Sequence, residues 1–493
     1  MNDRKSLKEL LETEEFVIYP FKGISMLPLL DEERDLVKLV KLTGEPEKYD
    51  VALFERPNGA LVLHRVIEVG EKYCVFCGDN QNTPERVKRS QILAKAVGFF
   101  KNGKYIPADD EEYQKYVEEI CRDIPSRRPI RKIPRVWTDL ISLLGAAMKG
   151  ETAPLGAEAD YEKLFDFAHR HSVASHAFRA VDNSECPPET YKKWSAAADR
   201  ALKKDILFDA ERQAILSELD RENIKYVCLK GIVIKSLYPE RGMREFADND
   251  ILFDASREDD ICKIMTSRGY DVSFEPVHDL CYKEPIYNFE FHKLLFLTKS
   301  RYYPAFEDIW SRVEKVGDGS EYKMTIADFY LHFIAHLAKH YSGGGTGVRY
   351  FCDLYLIKRK MITEADRPAV KAAIEKAGLA EFDEKVSSLS EKMFERADEL
   401  TFDDLSYIME SGAYGKFTTS VKNEIKKRGK IGYFFYRAFL PYESMCGRFP
   451  ILRKVPILLP FCYVARIVEA IFNKNKRRRA KTEMKTLAKK QAD

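Results

Sequence analysis

The sequence predicts a multidomain α+β protein, with a β-rich N-terminal domain followed by an α/β core embedded in helical subdomains. Three observations predict it. At 493 residues the chain is too long for one ordinary core. Residues 16 to 107 break into short apolar runs, such as "DLVKLVKL", "VALFE" and "ALVLHRVIEV", divided by Gly, Pro and Asn. Over 223–300 strand-like runs alternate with helical spacing, and helical spacing alone fills the flanks, 137–222 and 325–470.

These signals divide the chain in order. Residues 1–108 read as the β-rich domain. Residues 109–150 read as a linker carrying a helix, because "DDEEYQKYVEEICRDIPSRRPIRKIPR" runs from a charged helical stretch into Pro and Arg. A helical subdomain over 151–222 comes next, then the α/β core over 223–320. A second helical subdomain over 321–472 and a basic tail over 473–493 complete the expected order.

Composition narrows the function. The apolar fraction, 45%, is that of a folded globular protein and excludes wholesale disorder. With 81 basic against 78 acidic residues and a net charge of +3, no nucleic-acid partner is indicated. The stretch "MNDRKSLKELLETEE" lacks the apolar run of a secretory signal. The longest apolar candidate, "VPILLPFCYVARIVEAIF", is broken by Pro460 and Arg466 and is not expected to span a bilayer. The ten cysteines are scattered through apolar surroundings, as at Cys228 and Cys352, which predicts free thiols and a cytoplasmic location. Cys74 and Cys77 form one CxxC without a second pair nearby, so buried thiols on a strand are expected there in place of zinc ligands.

The first candidate site begins at Ser25, in "FKGISMLPLLDEERD". A hydroxyl becomes a nucleophile when a neighbouring base takes its proton. The β-rich domain has a single histidine, His64, whose ordinary pKa of about 6.5 suits that task. Arg65 beside it is permanently charged and is expected to contact an anion or a substrate. Asp79, in "FCGDN", is the candidate for orienting the imidazole. The ordered blocks "GISMLP", "RDLVKL", "YDVALF", "LVLHRVI" and "CGDNQN" resemble the signal peptidase I clan, in its branch that uses His as the base. The resemblance covers residues 19–100 and implies Ser25 as nucleophile, His64 as general base and Asp79 as orienting acid. That branch carries a further acid shortly after the "GDN", where this chain reads "QNTPER", with Pro84 and Glu85.

The second candidate site lies in "YVCLKGIVIKSLYPERGMREFADNDILFD". A strand runs into Lys230 and Gly231 and a helix begins there, an arrangement that lets backbone N–H groups and a lysine approach phosphate. Asp248 and Asp250 sit two apart at a strand start, so alternation turns both carboxylates to one side. Two such carboxylates suit Mg²⁺ when a triphosphate supplies the remaining ligands. Further on, "YNFEFHKLLF" places Glu290 and His292 on one face of a strand and Phe289 and Phe291 on the other. Three carboxylates on adjacent strands can hold metal and activate a hydroxyl.

This pattern resembles the polymerase-β-like nucleotidyltransferase superfamily, and most closely the uncharacterised bacterial nucleotidyltransferases. The resemblance rests on Lys230 and Gly231, Arg244, Asp248 and Asp250 with Leu252, and Glu290 with His292. It extends into "FDFAHRHSVASHAF" and "LHFIAHLAKHYSGGGTGVRYFCDLYLI", so that it covers residues 155–470. It implies metal ligation by Asp248, Asp250 and Glu290, with Glu290 also as base. Phosphate contacts would come from Lys230, Gly231 and Arg244, and the substrate would be an NTP, ATP foremost, with Mg²⁺. Asn249 stands between the acids where an apolar residue is usual, which predicts a less buried strand edge.

Other signals are weaker. His332, His336 and His340 recur every fourth residue and read as polar lining of a nucleotide cleft, since three ligands on one drifting helix face would splay. "SGGGTGVR", Ser342 to Arg349, reads as a flexible loop, and Arg349 and Asp353 as a pair one helical turn apart. The aromatic and basic C-terminal segment reads as a helical subdomain with a solvated tail, the alternative being contact with an anionic membrane surface. The expected function is transfer of a nucleotidyl group to an unknown acceptor, a peptide or protein if the two domains share a substrate. The alternatives are a scaffold that binds peptide and nucleotide without turnover, and a serine peptidase with a degenerate second domain.

Overall fold

The computed structural model describes residues 7–274, 279–283, 287–413 and 415–472. The chain forms two compact units, Met1–Lys132 and Ile133–Asp493. The basic tail anticipated over 473–493 lies outside the described residues.

The first unit opens with α1 (Leu7–Thr13) and continues through β1 (Val17–Tyr19), β2 (Leu36–Lys41), β3 (Val51–Glu55) and β4 (Leu61–Val69). It then runs through β5 (Tyr73–Cys77), β6 (Glu85–Lys88), β7 (Ile92–Lys101) and β8 (Lys104–Pro107) to α2 (Glu111–Cys121). The sheet order is β1-β2-β7-β3-β4-β5-β6, with β8 added on β7, and every pairing is antiparallel. Period-2 alternation sends Leu53 of β3 into a cluster with Met26, Val37, Leu39 and Phe99. It sends Ala52 and Phe54 into a second cluster with Val66, Phe76 and Val87. Helix α2 starts at Asp110, whose carboxylate accepts from the Tyr113 N–H, and Tyr113 and Val117 turn inward. Cys74 and Cys77 on β5 are buried free thiols.

The second unit opens with α3 (Arg135–Lys149), α4 (Tyr161–Arg170), α5 (Ala174–Phe178) and α6 (Pro188–Arg221). An α/β segment follows: β9 (Tyr226–Cys228), α7 (Lys230–Ile234), β10 (Asn249–Phe253), α8 (Glu258–Ser267), β11 (Asp271–Phe274), β12 (Asp279–Lys283), β13 (Asn288–His292), β14 (Glu314–Lys315) and β15 (Glu321–Lys323). The rest is helical: α9 (Ile326–Gly343), α10 (Arg349–Leu356), α11 (Arg367–Lys376), α12 (Ala380–Glu395), α13 (Phe402–Ser411), α14 (Phe417–Ala438), α15 (Tyr442–Arg448) and α16 (Leu459–Phe472). Among the described residues no helix is long and apolar enough to cross a membrane.

The sheet of this unit runs β11-β12-β13-β10-β9-β15-β14. Strands β10 and β13 are parallel neighbours, as are β9 and β15. One face buries Ile251, Phe253, Phe289 and Phe291 against Ile215 and Leu219 of α6 and Ile261 and Met265 of α8. Alternation therefore turns Asp250, Leu252, Glu290 and His292 to the opposite face. There Leu252 joins the large core that includes Phe333, Ile334 and Leu337 of α9.

Three expectations are corrected here. Asn249 does not mark an exposed edge. It is fully buried on β10, between β9 and β13, and its Oδ1 accepts from Arg212 Nη1 at 2.9 Å. Residues 345–348 of the glycine-rich stretch are buried, not a loose loop. A Cβ at Gly347 would meet the backbone of Ala413 at 2.9 Å, so glycine there permits close approach of the segment after α13. Arg349 and Asp353 do not pair with each other. Arg349 Nη1 donates to the Glu245 carbonyl at 3.1 Å, and Asp353 binds Tyr238 and Arg244.

Candidate functional site

The register of β10 on β13 sets Asp250 directly opposite Glu290 and Leu252 opposite His292. Asp250, Glu290 and His292 each offer a ligand atom, and these atoms all lie within 4.8 Å of one another. Lys230 Nζ donates to Asp250 Oδ1 at 2.7 Å, and His292 Nε2 lies 2.8 Å from the same oxygen. Lys230 is the first residue of α7 and adopts φ 39, an uncommon backbone for a side chain other than glycine. That turn places the ammonium of Lys230 against the carboxylate of the neighbouring strand.

Charge and burial set the protonation states. Burial favours the neutral form of Asp250, but Lys230 and His292 outweigh it and hold the carboxyl well below the usual range. Glu290 is raised, first by burial and then by the charges of Asp250 and Asp248. Asp248 is raised by burial and by Asp250. It precedes β10 and is not in the 4.8 Å grouping, so it is a neighbour in charge and His292 takes the third position. Periodicity of β13 already put His292 on the face of Glu290, and that was its signal in the sequence.

Gly231 and Arg244 meet as well. A Cβ at Gly231 would come within 2.5 Å of Arg244 Nη1. Both Arg244 Nε and Nη2 are taken by Asp353, at 2.9 and 2.8 Å, while Tyr238 donates to Asp353 Oδ1 at 2.7 Å. Of the guanidinium, Nη1 is the part that lies over the Lys230–Gly231 turn.

Helix α9 closes the same region. Burial, followed by Lys230, drives His332 down to about 3 and His336 well below its usual value. These imidazoles are therefore neutral at ordinary pH. The Nε2 atoms of His336 and His340 are 3.1 Å apart, whereas His332 packs edge-on against Phe296 and Phe306.

Residues 157–395 match the model of a family described as an uncharacterised nucleotidyltransferase. The nucleotidyltransferase match begins just before α4, ends with α12, and contains every residue of this cluster. No curated protein matches the chain. A solved structure of the antibiotic-resistance factor ANT(2'')-Ia is similar at 12% identity, over 39% of this chain and 96% of that one, with a TM-score of 0.23. The donor set of the matched region fits a divalent cation: two carboxylates of the kind Mg²⁺ takes, and an imidazole better suited to Mn²⁺ or Zn²⁺.

The first unit lies outside that match. Ser25 and His64 line one cleft of about 330 Å³ together with Tyr19, Phe21, Leu53 and Leu63. The turn carrying Ser25 is tied to the turn after β5: Asn80 N donates to the Ser25 carbonyl at 2.8 Å, and Asn80 Nδ2 to that of Ile24 at 2.9 Å. The acid beside His64 is Glu85, whose Oε1 lies 3.1 Å from His64 Nδ1. Asp79 is engaged elsewhere. Arg65 Nε and Nη2 grip its two oxygens at 2.8 and 2.6 Å, and the Tyr116 hydroxyl donates to Oδ2 at 2.9 Å. Arg65, expected at an anion or substrate, is fully buried in this pair. Glu85 is itself held by Arg56 Nε and Nη2, at 3.0 and 2.6 Å. Burial pushes His64 below its ordinary pKa against the pull of Glu85.

Proposed function

We propose that the second unit transfers a nucleotidyl group from a Mg²⁺-bound nucleoside triphosphate, ATP foremost, to an acceptor hydroxyl. The observation that carries this reading is the facing pair Asp250 and Glu290 on adjacent parallel strands, with His292 and Lys230 on the same carboxylate. The family match of residues 157–395 supports it.

In this reading Asp250, Glu290 and His292 would hold the cation, and Asp248 would add negative charge beside them. The cation supplies Lewis-acid polarisation of the α-phosphate and screens its charge. Lys230, the backbone at Gly231 and Nη1 of Arg244 draw the phosphates into line. Glu290, whose raised affinity for a proton suits a base, takes the proton of the acceptor hydroxyl. The acceptor oxygen bonds to the α-phosphorus, the bond to the β-phosphate oxygen breaks, and pyrophosphate leaves. Because the two domains lie in one chain, a peptide or protein is the acceptor to test first.

Incubation with divalent cation and α- or γ-labelled ATP tests this. Label must pass from the α position and be lost in Asp250→Asn. Label passing only from the γ position would show phosphoryl transfer. Nucleotide-induced thermal stabilisation without any label transfer would favour a binding scaffold.

A second reading applies to the first unit, on the contact between His64 and Glu85. We propose that Ser25 and His64 cleave a peptide bond in the shared cleft. Glu85 accepts from Nδ1–H of His64, which leaves Nε2 to take the Ser25 proton as Oγ attacks the carbonyl. The same proton then goes to the leaving amine, and water releases the acyl group. Ser25→Ala and His64→Ala must each abolish cleavage of candidate peptides; undiminished cleavage in either refutes it.

A further inference from the structure

Eleven of the twenty-three large hydrophobic side chains exposed among the described residues fall between Ile431 and Val468. The local fold explains why they face outward. At Gly429, with φ 72, helix α14 breaks. Tyr433 turns back on Val421 and Ile425. Met445, Cys446, Leu452 and Cys462 then form a small core closed by Leu440, Phe449 and Tyr463. With the inward positions filled by these residues, Ile431, Phe434, Phe439, Ile457 and Phe461 remain 62–80% exposed. Leaving such a side chain in water forgoes about 1.5–3 kcal/mol relative to burial, so a patch of this extent marks a contact surface.

Charge identifies what the surface meets. The chain as a whole is nearly balanced, yet between Lys426 and Phe472 nine Lys and Arg stand against two acids, Glu443 and Glu469, the second of them paired with Arg448. Lys426, Lys427, Lys430, Arg453 and Lys454 are exposed among the aromatic residues. A protein interface depletes lysine at its apolar centre and pairs it with acids at the rim. An anionic bilayer surface instead supplies lipid phosphate beside acyl chains, which suits aromatic and basic side chains interleaved on one short segment. Since no described helix is long and apolar enough to cross a membrane, such contact is in-plane.

We propose that residues 426–472 dock the protein on an anionic lipid surface, with Phe434, Phe439, Ile457 and Phe461 at headgroup depth and Lys426, Lys427, Lys430, Arg453 and Lys454 against lipid phosphates. Flotation of the full chain with vesicles tests it. The protein must rise with vesicles containing phosphatidylglycerol and stay down with phosphatidylcholine alone. Changing Lys426, Lys427 or Lys430 to Gln must lower partitioning about fivefold per charge at low salt, the equivalent of roughly 1 kcal/mol each. Phe434→Glu with Phe439→Glu must abolish flotation. A chain that never floats, or a double variant that floats like the parent, overturns the proposal. So does a parent that is dimeric without lipid and becomes monomeric in the double variant, since the patch would then serve a second copy of the chain.

Discussion

Asp353 clamps Arg244 across 109 residues of sequence, with its two oxygens 2.9 Å from Nε and 2.8 Å from Nη2. Helix α10 thereby fixes the guanidinium that covers Gly231. The turn expected to meet phosphate is thus held by a helix far from it in the chain.

Asp353→Ala removes the counter-charge of a buried guanidinium. Breaking one side of such a pair costs about 3–5 kcal/mol. All three tryptophans, Trp137, Trp194 and Trp310, lie in the second unit, so their fluorescence during urea unfolding reports on that unit alone. The midpoint is expected to fall sharply, and an unchanged midpoint would show that Arg244 finds another partner.

Asp250→Asn and Glu290→Gln are each expected to slow nucleotidyl transfer by roughly 10²–10³, the usual loss when a preorganised charge is removed from a transition state. Asp248→Asn is expected to cost less, because Asp248 stands outside the tight grouping of ligand atoms. Initial rates at saturating nucleotide separate the three. Equal losses would place Asp248 among the ligands.

The contact between Glu85 and His64 makes a prediction about pH. His64 acts as a base only when neutral, so peptide cleavage falls as pH drops through its folded pKa, which lies below the ordinary value. Glu85 raises that pKa, so Glu85→Gln must lower it and move the acid limb of kcat/KM to lower pH. The plateau must fall too, because the imidazole loses its orienting partner. Asp79→Asn, which breaks a pair with Arg65, is expected to reduce thermal stability and leave the acid limb nearly in place.

Gly347→Ala pushes a methyl group into the backbone of Ala413 and is expected to destabilise the second unit by about 1–3 kcal/mol. Gly343→Ala is the control, since a Cβ there meets nothing within 4 Å. Thermal unfolding of the two variants should differ clearly.

The cluster on β10 and β13 was legible in part: alternation puts Glu290 and His292 on one face of β13, whereas the parallel register with β10 brings Asp250 to that face. The partner of His64 was not legible in the same way. Asp79 and Glu85 are both close in sequence, and the choice depends on β6 folding back on β5, with Glu85 opposite Phe76, and on Arg65 capturing Asp79. A similar limit applies to Asp353. Helical spacing offered Arg349 as its mate, but burial of α10 turns Asp353 towards Arg244 and Tyr238, neighbours that only the tertiary fold supplies. Asn249 read as an edge residue because an amide stands there where an apolar side chain is usual, and the Arg212 guanidinium that donates to its Oδ1 comes from α6, which the sequence pattern does not reveal.

The single oxygen shared by Lys230 and His292 has a thermodynamic corollary. A cation arriving at Asp250 would have to compete with the ammonium already there, and the displaced lysine would then be available to a phosphate. Cation and nucleotide would each improve the affinity of the other by an equal factor, as linkage requires.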